Sequence, residues 1–401
     1  MIQRIVPITL RPNVLLDTGR ASYGDVIQQL PRNGGIRECF VARPGKVLVS
    51  CDYGGLELAT HAQNCLYTVG FSKLAEALNA GVKVHDALAA TFLGVSYKEF
   101  AASLKGERGK EIAELYKNVR QAVKPANFGF PGGMGAVKLV LQQRKQGPDT
   151  VTFDGKKYKG LRFCVLVGAH RCGEDSTGAS NKVNEYKRKP ITPTCSACIR
   201  VAEDIREKWF LQWPENKVYL EDYINDCVEN GQHVSRDGRA FRLAPGQVMQ
   251  HKSHRLRTVI DSPFCALANG FFQGLAADGA KRALTRVSRE CYDSTYRMPN
   301  GERSPLYGCR IILFAHDELI VEGTEETAHI WALRISVVMV ESMREYTPDV
   351  VVEAPPAIMR RWWKNAEPTY IDRHTRKLVK VPKPDDILIP WDDRNLEKYA
   401  A

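Results

Sequence analysis

The chain has 401 residues, enough for two or three packed units, and its 44% hydrophobic and 26% charged residues are ordinary for a globular protein. This composition excludes a chain that is disordered throughout, and no stretch reaches the ~18 apolar residues that a membrane-spanning helix needs. The formal net charge of +11 suits a polyanionic partner, because lysine and arginine replace the counterions condensed on phosphates. The N-terminus lacks the layout of a secretory signal, so we expect a cytoplasmic protein.

The N-terminal half is predicted to contain one strand, followed by long helical stretches. Residues 1–40 are rich in Pro, Gly and Arg and predict irregular structure. Residues 46–51 (KVLVSC) form a short apolar run with β-branched side chains, typical of a buried strand. A helix is expected at about 55–66, and the periodic Ala- and Leu-rich pattern of residues 72–148 predicts further helices.

The C-terminal half begins with a change of composition. Lys, Gly, Ser, Thr and Cys replace the apolar periodicity over residues 149–200, and helical periodicity returns at 199–209 and 266–290. Residues 310–321 predict two short strands with a polar break, and Thr324 is expected to cap the long helix that follows. Strands separated by long helical blocks indicate an α+β domain with an inserted helical subdomain.

Two aspartates at predicted strand ends are the first candidate constellation. Asp52 closes the strand of residues 46–51, and Asp317 lies at the break between the two later strands. Carboxylates on adjacent strands could hold two Mg²⁺ ions for phosphoryl transfer, since hard cations take oxygen ligands. Each aspartate alone is equally typical of a turn, and spacing does not show whether the two strands are neighbours.

A basic stripe with an aromatic end is the second constellation. Arg120, Lys124 and Phe128 follow i, i+4, i+8 spacing, which places all three on one face of a helix. Two cations and a ring could hold a triphosphate and stack on a base or sugar. The same pattern also describes a solvated basic face that ends in a core phenylalanine.

Together these segments resemble the three polymerase motifs of the family A DNA polymerases, the bacterial polymerase I type. The family's Asp-Tyr-Ser-Gln-Ile-Glu-Leu reads DYGGLEL at residues 52–58. Its Arg, Lys and Asn-Phe-Gly motif is matched by Arg120, Lys124 and residues 127–129, and its His-Asp-Glu by residues 316–318. Shorter matches extend the resemblance over most of the chain, from Thr18-Gly19-Arg20 and Gln28-Gln29-Leu30-Pro31 through His85, Gly238-Arg239, Asn269 and Gln273 to Trp363.

The resemblance implies a right-hand polymerase fold, with an antiparallel-sheet palm and inserted helical fingers. The implied organisation is the N-terminal part of the palm at 1–66, fingers with the nucleotide-binding helix at 67–148, a Cys- and Lys-rich insertion at 149–200, the end of the fingers and the palm with the second catalytic aspartate at 201–366, and an extension at 367–401. The family's thumb is expected to be absent or reduced here, because 17 residues precede Thr18. Distributive synthesis by the chain alone would follow.

The resemblance also implies roles for individual residues in template-directed DNA synthesis. Asp52 and Asp317 would bind two Mg²⁺ ions, which Mn²⁺ could replace, assisted by the Tyr53 carbonyl and with Glu318 nearby. Lys124 would bind the triphosphate and would protonate the leaving pyrophosphate. The implied nucleotide-binding residues are Arg120, Lys124, Phe128, Glu57, His85 and Gly55, with Glu57 excluding a ribose 2′-hydroxyl. The implied contacts to primer-template DNA are Arg20, Arg239, Asn269, Gln273 and His316.

Three departures from the family pattern affect the nucleotide site. The Ser-Gln of the first motif is Gly54-Gly55, so one nucleotide-contacting side chain is missing. Pro125 is expected to kink or restart the helix that carries Lys124. The family tyrosine one turn past Phe128 is replaced within residues 130–133 (FPGG). In the family that tyrosine helps to close the insertion site, so its replacement is expected to affect closure of the fingers.

The insertion contains a candidate metal site of a different kind. His170, Cys172, Cys195 and Cys198 could form a tetrahedral zinc site, or they could be separate thiols and a lone histidine. The lysines and arginine at 182 and 187–189 form a candidate DNA-binding stripe or a solvated loop.

Other functions remain open at the level of the sequence. A single-subunit RNA polymerase shares the palm, but it has Ser at the Glu318 position and lacks the gate at Glu57. A non-catalytic DNA-binding scaffold is a second alternative, and the presence of Asp52, Asp317, Lys124 and Arg120 together argues against it. A split polymerase that needs a thumb- or exonuclease-bearing partner is compatible with the catalytic assignment. No membrane partner is expected. The short form suggests a bacterial or phage-infected host cell.

Overall fold

The computed structural model describes residues 36–146, 196–229 and 264–362, together with Ile27, Leu30 and short strands outside those ranges. It divides the chain into two compact units. The sheet unit comprises residues 1–60 and 272–401, and the helical unit comprises residues 61–271.

The described elements are helices and strands, numbered separately along the chain. The helices are α1 (Leu56–Thr68), α2 (Lys73–Asn79), α3 (Val84–Leu93), α4 (Tyr97–Leu104), α5 (Lys110–Gly129), α6 (Ala136–Gln146), α7 (Ser196–Gln212), α8 (Glu215–Val218), α9 (Ile224–Glu229), α10 (Phe264–Tyr292) and α11 (Ala328–Arg344), with a 3₁₀ turn (Arg37–Cys39) and a π-helical turn (Tyr219–Tyr223). The strands are β1 (Pro12–Asn13), β2 (Ser22–Tyr23), β3 (Lys46–Asp52), β4 (Thr150–Phe153), β5 (Lys156–Lys159), β6 (Val183–Asn184), β7 (Lys189–Pro190), β8 (Gln232–Val234), β9 (Ala240–Arg242), β10 (Gln247–Gln250), β11 (Leu256–Val259), β12 (Arg310–Ala315), β13 (Glu318–Thr324), β14 (Pro356–Met359), β15 (Tyr370–Ile371) and β16 (Leu378–Val379).

The sheet unit is built on a four-stranded antiparallel sheet in the order β12-β13-β3-β14. β3 lies inside the sheet, and its apolar side chains Val47, Val49 and Cys51 are fully buried. Because successive side chains alternate between faces, Leu48 lies on the opposite face, in a core cluster with Ile320 and residues of the neighbouring strands. A strand buried on both faces explains the near-continuous apolar run KVLVSC.

The expected strand and hairpin are confirmed, but the helix cap at Thr324 is wrong. Thr324 is the last residue of β13, where it pairs with Lys46, and the Lys46 ammonium donates to its hydroxyl over 2.9 Å. The helix begins four residues later, at Ala328, and the Trp331 indole of that helix donates to the Thr324 carbonyl over 2.9 Å. Pairing with β3 therefore outweighed the local capping preference of the threonine.

The helical unit packs its helices around α5. Phe100 stacks on Tyr116 at 4.9 Å between ring centroids, which joins α4 to α5. On the other side the Trp209 indole of α7 donates to the buried Asn127 side chain over 3.0 Å. The predicted helices at 72–148 and 199–209 are therefore present, with α7 extending to residues 196–212.

Of the two effects expected from Pro125, a kink or a restart of the helix, the restart is wrong, because α5 runs from Lys110 through Pro125 to Gly129. Proline removes one backbone hydrogen bond from a helix. The flanking residues Val123 and Ala126 are fully buried, so tertiary packing holds the helix together across that position.

A buried polar cluster joins α1 to α8 inside the helical unit. His61 is fully buried, and its Nε2 is hydrogen-bonded to the Asn216 side chain and lies 3.6 Å from the Cys65 thiol. Next to it, the buried Glu215 carboxylate accepts from the Ser72 hydroxyl and the Leu74 backbone amide, each over 2.9 Å. Burial lowers the pKa of His61 to about 4.

The buried His61 predicts a loss of stability in mild acid. The unfolded chain takes up a proton near the ordinary histidine pKa of 6.5, whereas the folded chain resists protonation until about pH 4. Stability is therefore complete above pH 6.5 and is lost as the pH falls towards 4. At pH 5 we expect His61 to cost about 2 kcal/mol of unfolding free energy relative to pH 7. Urea unfolding at both pH values, compared with His61→Gln, measures it, and an equal pH dependence of the two proteins would contradict it.

Candidate active site

The two predicted metal-binding aspartates lie at the same end of neighbouring strands. β13 pairs with β3 so that Glu318 is directly opposite Asp52. Asp317 immediately precedes Glu318, in the two-residue turn between β12 and β13 that is closed by the Ala315–Glu318 pair. The sequence could not show that these strands are adjacent, and the register of the sheet now brings the three carboxylates to one edge. Asp52 is exposed, and Asp317 and Glu318 are half-buried.

The turn that presents Asp317 has an unusual backbone. His316 adopts a φ of +58°, the only described residue other than glycine with a positive φ. Side chains disfavour this region, and two-residue hairpin turns use it because it matches the twist of the paired strands. The strain is stored beside a candidate functional residue, which is where such outliers concentrate.

Hydrogen bonds fix one of the three carboxylates more firmly than its exposure suggests. The Ser50 hydroxyl donates to Glu318 Oε1 over 2.6 Å, and the Trp362 indole donates to the same oxygen over 3.4 Å. Ser50 and Trp362 were not expected as site residues. Ser50 could have been found from the alternation of β3, because it shares the face of Asp52.

Tyr53 is anchored by its side chain, so its backbone is the part that could bind a metal ion. Its hydroxyl donates to the Met339 carbonyl over 2.8 Å, and the ring is buried. Burial raises the pKa of the Tyr53 hydroxyl, with a smaller contribution from the buried Cys51 thiol. The phenol therefore stays protonated and structural.

The donor set at this edge fits Mg²⁺. Two aspartates and a backbone carbonyl are hard oxygen ligands, and Mg²⁺ commonly takes one or two carboxylates and completes its shell with water and substrate phosphates. Among the described residues no group of three or more His, Cys, Asp or Glu side chains is gathered as a metal site.

A small cavity borders this edge of the sheet within the sheet unit. It measures about 20 Å³, room for about one water molecule, and Leu56, Phe314 and two alanines of α10 form its apolar part. Its polar boundary consists of Glu57, Lys281, His316 and Asp317. Lys281 was not expected at the site, and its one signal in the sequence is a cation inside the Ala-rich stretch of α10.

The predicted basic stripe is present on α5 in the helical unit. Lys124 is exposed, and the ring of Phe128 is 37% exposed, so Phe128 is not the core residue that a purely solvated basic face would end in. Arg120 is half-buried, and its Nε donates to the buried Asp86 carboxylate of α3. Asp86, which sequence reasoning missed, holds the guanidinium in a defined position and directly follows His85 in the chain.

His85 packs against Phe128 in the same cluster. Their ring centroids are 5.2 Å apart, and His85 Nδ1 lies 3.0 Å from the Asn127 amide nitrogen. Burial, together with the positive charges of Lys124 and Arg120, lowers the pKa of His85 to about 4. His85 is therefore neutral at pH 7 and contributes a polar edge without adding charge to the basic stripe.

Gly55 serves the backbone at the start of α1. Its φ is +64°, and its carbonyl accepts from the amides of Leu58 and Ala59 over 3.0 and 3.2 Å. A glutamine at this position, as the family pattern has, would meet a left-handed backbone that side chains disfavour. The missing nucleotide-contacting side chain is thus tied to the local backbone geometry.

Asn269 and Gln273, the expected DNA contacts on α10, are both half-buried. In the helical unit the Asn269 amide donates to the carbonyls of Cys265, over 2.6 Å, and Gly132, over 3.4 Å. A Cβ atom at Gly132 would lie 2.2 Å from the Asn269 amide, so any larger residue there would displace the Asn269 side chain.

Several predicted residues lie outside the described part of the chain. These are Arg20, Arg239, His170, Cys172 and Cys195, so the candidate zinc site and two DNA contacts stay predictions. Cys198, the fourth candidate zinc ligand, is fully buried in α7. Among the described residues no helix is long and apolar enough to cross a membrane.

Comparison with known proteins identifies relatives of one kind. The chain is 24% identical over 297 residues to "DNA polymerase I A, chloroplastic/mitochondrial" of Arabidopsis thaliana, covering 74% of this chain and 22% of that protein. It is 23% identical to the thermostable DNA polymerase I of Thermus filiformis and 24% identical to DNA polymerase I of Pseudomonas aeruginosa, covering 86% and 77% of this chain and 31% and 25% of those proteins. The chain is a relative of the DNA polymerase I proteins. No family model matches it.

The comparison of structures agrees with this relationship. The POL domain of Pol1 from M. smegmatis, solved in complex with DNA primer-template and dNTP, superposes with a TM-score of 0.57 at 22% identity, covering 88% of this chain and 47% of that one. The fold is therefore that of a DNA polymerase POL domain, with mixed helices and antiparallel sheet. The resemblance predicted from the three motifs is confirmed, and the chain spans less than a third of the length of these curated relatives.

The cluster around His85 predicts a measurable coupling between titrating groups. Replacing Lys124 with methionine should raise the pKa of His85 above about 4, because one of the two nearby positive charges is removed. The value should remain below 6.5, because burial is the largest cause of the shift. NMR titration of the His85 ring measures it. Lys117→Met, two turns earlier on α5, is the matched control, and an equal shift in both variants would contradict the arrangement.

Proposed function

We propose that this chain is a template-directed DNA polymerase that adds deoxynucleoside triphosphates to a primer 3′-hydroxyl by a two-metal-ion mechanism. The observation that carries the proposal is the register of β3 and β13, which brings Asp52 and Asp317 to one end of neighbouring strands. The relationship to DNA polymerase I proteins supports it. In this proposal the sheet unit is the palm and the helical unit contains the fingers. The proposed partners are primer-template DNA and a thumb-bearing protein, in the cytoplasm of a bacterial or phage-infected cell.

The carboxylate edge is proposed to hold the metal ions. Asp52, Asp317 and the Tyr53 carbonyl would be the ligands, and Glu318, held by Ser50 and Trp362, would orient the edge from beside them. Bound Mg²⁺ would activate the primer hydroxyl and neutralise charge on the leaving pyrophosphate. The exposed position of Asp52 leaves it accessible to a ligand from solvent.

The basic face of α5 is proposed to bind the incoming triphosphate. Lys124 would donate a proton to the leaving pyrophosphate, and Arg120 would bind the phosphates while Asp86 fixes its orientation. The exposed ring of Phe128, supported by His85, would stack on the nucleotide. The neutral state of His85 at pH 7 allows it to support the ring without repelling Lys124.

Primer extension with Mg²⁺ tests the polymerase activity. The wild-type chain should extend a primer on a DNA template with deoxynucleotides. Asp317→Asn should slow extension about a thousandfold, since metal ions supply several kcal/mol of transition-state stabilisation. Asp222→Asn, which makes the same chemical change at an exposed position, is the matched control. Extension by Asp317→Asn at the control rate would overturn the metal-binding role, and primer-template binding without any extension would favour a scaffold or an incomplete enzyme.

The half-buried position of Glu57 predicts how the proposed enzyme distinguishes deoxynucleotides from ribonucleotides. Glu57 opens α1 and borders the same cavity as Asp317, so its carboxylate lies beside the candidate reaction centre. Glu57→Ala should raise kcat/KM for ribonucleotides relative to deoxynucleotides by roughly a hundredfold, because the obstacle to the 2′-hydroxyl is removed. Single-nucleotide insertion kinetics measure the ratio. Glu326→Gln, at an exposed position, is the control, and an unchanged ratio in Glu57→Ala would exclude the gate.

A further inference from the structure

The four cations on the C-terminal half of α10 are not equivalent. Arg282 pairs with Glu345 at 3.0 Å, Arg286 with Glu341 at 3.0 Å, and Arg289 with Asp293 at 3.5 Å. Within the described part of the sheet unit, Lys281 has no carboxylate at ion-pair distance. Ion pairs within the fold therefore account for its three neighbours, and Lys281 is the cation of this set that a ligand could reach without breaking such a pair.

The position of Lys281 limits what that ligand could be. Lys281 borders the 20 Å³ cavity together with Glu57, His316 and Asp317. The cavity has room for about one water molecule, so a nucleotide cannot enter it. A ligand of Lys281 would therefore lie outside the cavity, against the polar residues that border it. The half-buried ammonium is close to the carboxylate edge, although it is paired with neither Glu57 nor Asp317.

The charges around the cavity favour an anion brought by the substrate. If Asp317 holds a metal ion, its carboxylate is not the counterion of Lys281. A phosphodiester is the anion that a nucleic-acid strand supplies, and a lysine binds it as a compact point charge. His316, on the same boundary, lies in the turn that presents Asp317, so a strand whose last phosphate reaches Lys281 would end at the carboxylate edge.

We propose that Lys281 binds the 3′-terminal phosphodiester of the primer strand and thereby positions the primer end at Asp317. This inference rests on the proposed polymerase function. It assigns Lys281 a binding and positioning role, distinct from the triphosphate contacts proposed for α5.

Salt-dependent DNA binding separates this role from a structural one. The full chain is titrated with a fluorescein-labelled primer-template at several salt concentrations without Mg²⁺. Lys281→Ala should weaken binding roughly tenfold, and the slope of log K against log salt should fall by about 0.9, the value for one phosphate contact. Lys281→Arg should restore both quantities. Arg282→Ala is the matched control. It also removes one positive charge, at the position next to Lys281, but from a cation that already pairs with Glu345.

The position of the contact is tested with a modified primer. A neutral methylphosphonate at the last internucleotide linkage should weaken wild-type binding as much as Lys281→Ala does, and should weaken Lys281→Ala no further. An unchanged salt slope in Lys281→Ala, or additive effects of the substitution and the methylphosphonate, would overturn the proposal. So would a raised KM for the deoxynucleotide with normal primer binding, which would place Lys281 on the triphosphate. If the wild-type chain does not bind primer-template, the proposed function fails first, which distinguishes the two failures.

Discussion

The pairing of β13 with β3 is the constraint on which the candidate site depends. Opposite residues of an antiparallel pair are fixed by the register, so Glu318 faces Asp52 only while the whole ladder from Lys46 to Asp52 is in place. A slip by one residue would turn every side chain of β13 to the other face. Such a slip would separate the buried Glu322 from its arginine partner, so the core enforces the position of the carboxylates.

Buried ion pairs hold the surroundings of this sheet in one arrangement. Glu290 accepts two hydrogen bonds from the Arg334 guanidinium, at 2.8 and 2.6 Å, and a third from Ser304 at 2.6 Å. These contacts lower the pKa of Glu290 although burial acts against them. Removing one partner of such a pair typically costs about 3–5 kcal/mol, so the pair ties α10 to α11 in a defined relation.

Much of the fold could be predicted from the sequence, because its signals are local. The run KVLVSC predicts β3, the break at Asp317 predicts the hairpin, and periodicity predicts the helices of residues 72–148. The errors came from tertiary interactions that override local preference. Strand pairing extended β13 through Thr324, and buried neighbours carried α5 through Pro125.

Whether a site residue can be predicted from the sequence also depends on whether its role arises from local spacing or from long-range contacts. Arg120, Lys124 and Phe128 share a helical face, which spacing alone predicts. Alternation along β3 places Ser50 on the face of Asp52, but its bond to Glu318, 268 residues away, is not local information. Asp86 could not be recognised from spacing, since its importance arises from a helix 34 residues away. The sequence also does not reveal which cation of a basic helix is already paired.

The buried carboxylates of the described residues all have polar partners. Glu290, Glu322 and Asp86 each pair with an arginine, whereas Glu215 accepts from a hydroxyl and a backbone amide. Asp52 instead is exposed, and Asp317 and Glu318 are half-buried. At the metal site proposed for this edge, ligands could come and go beside a sheet that buried pairs hold in place, without disturbing the core around these three carboxylates. Because the sheet already sets where these carboxylates lie, binding a substrate there requires little reordering of the protein, and more of the binding energy is available to position the substrate.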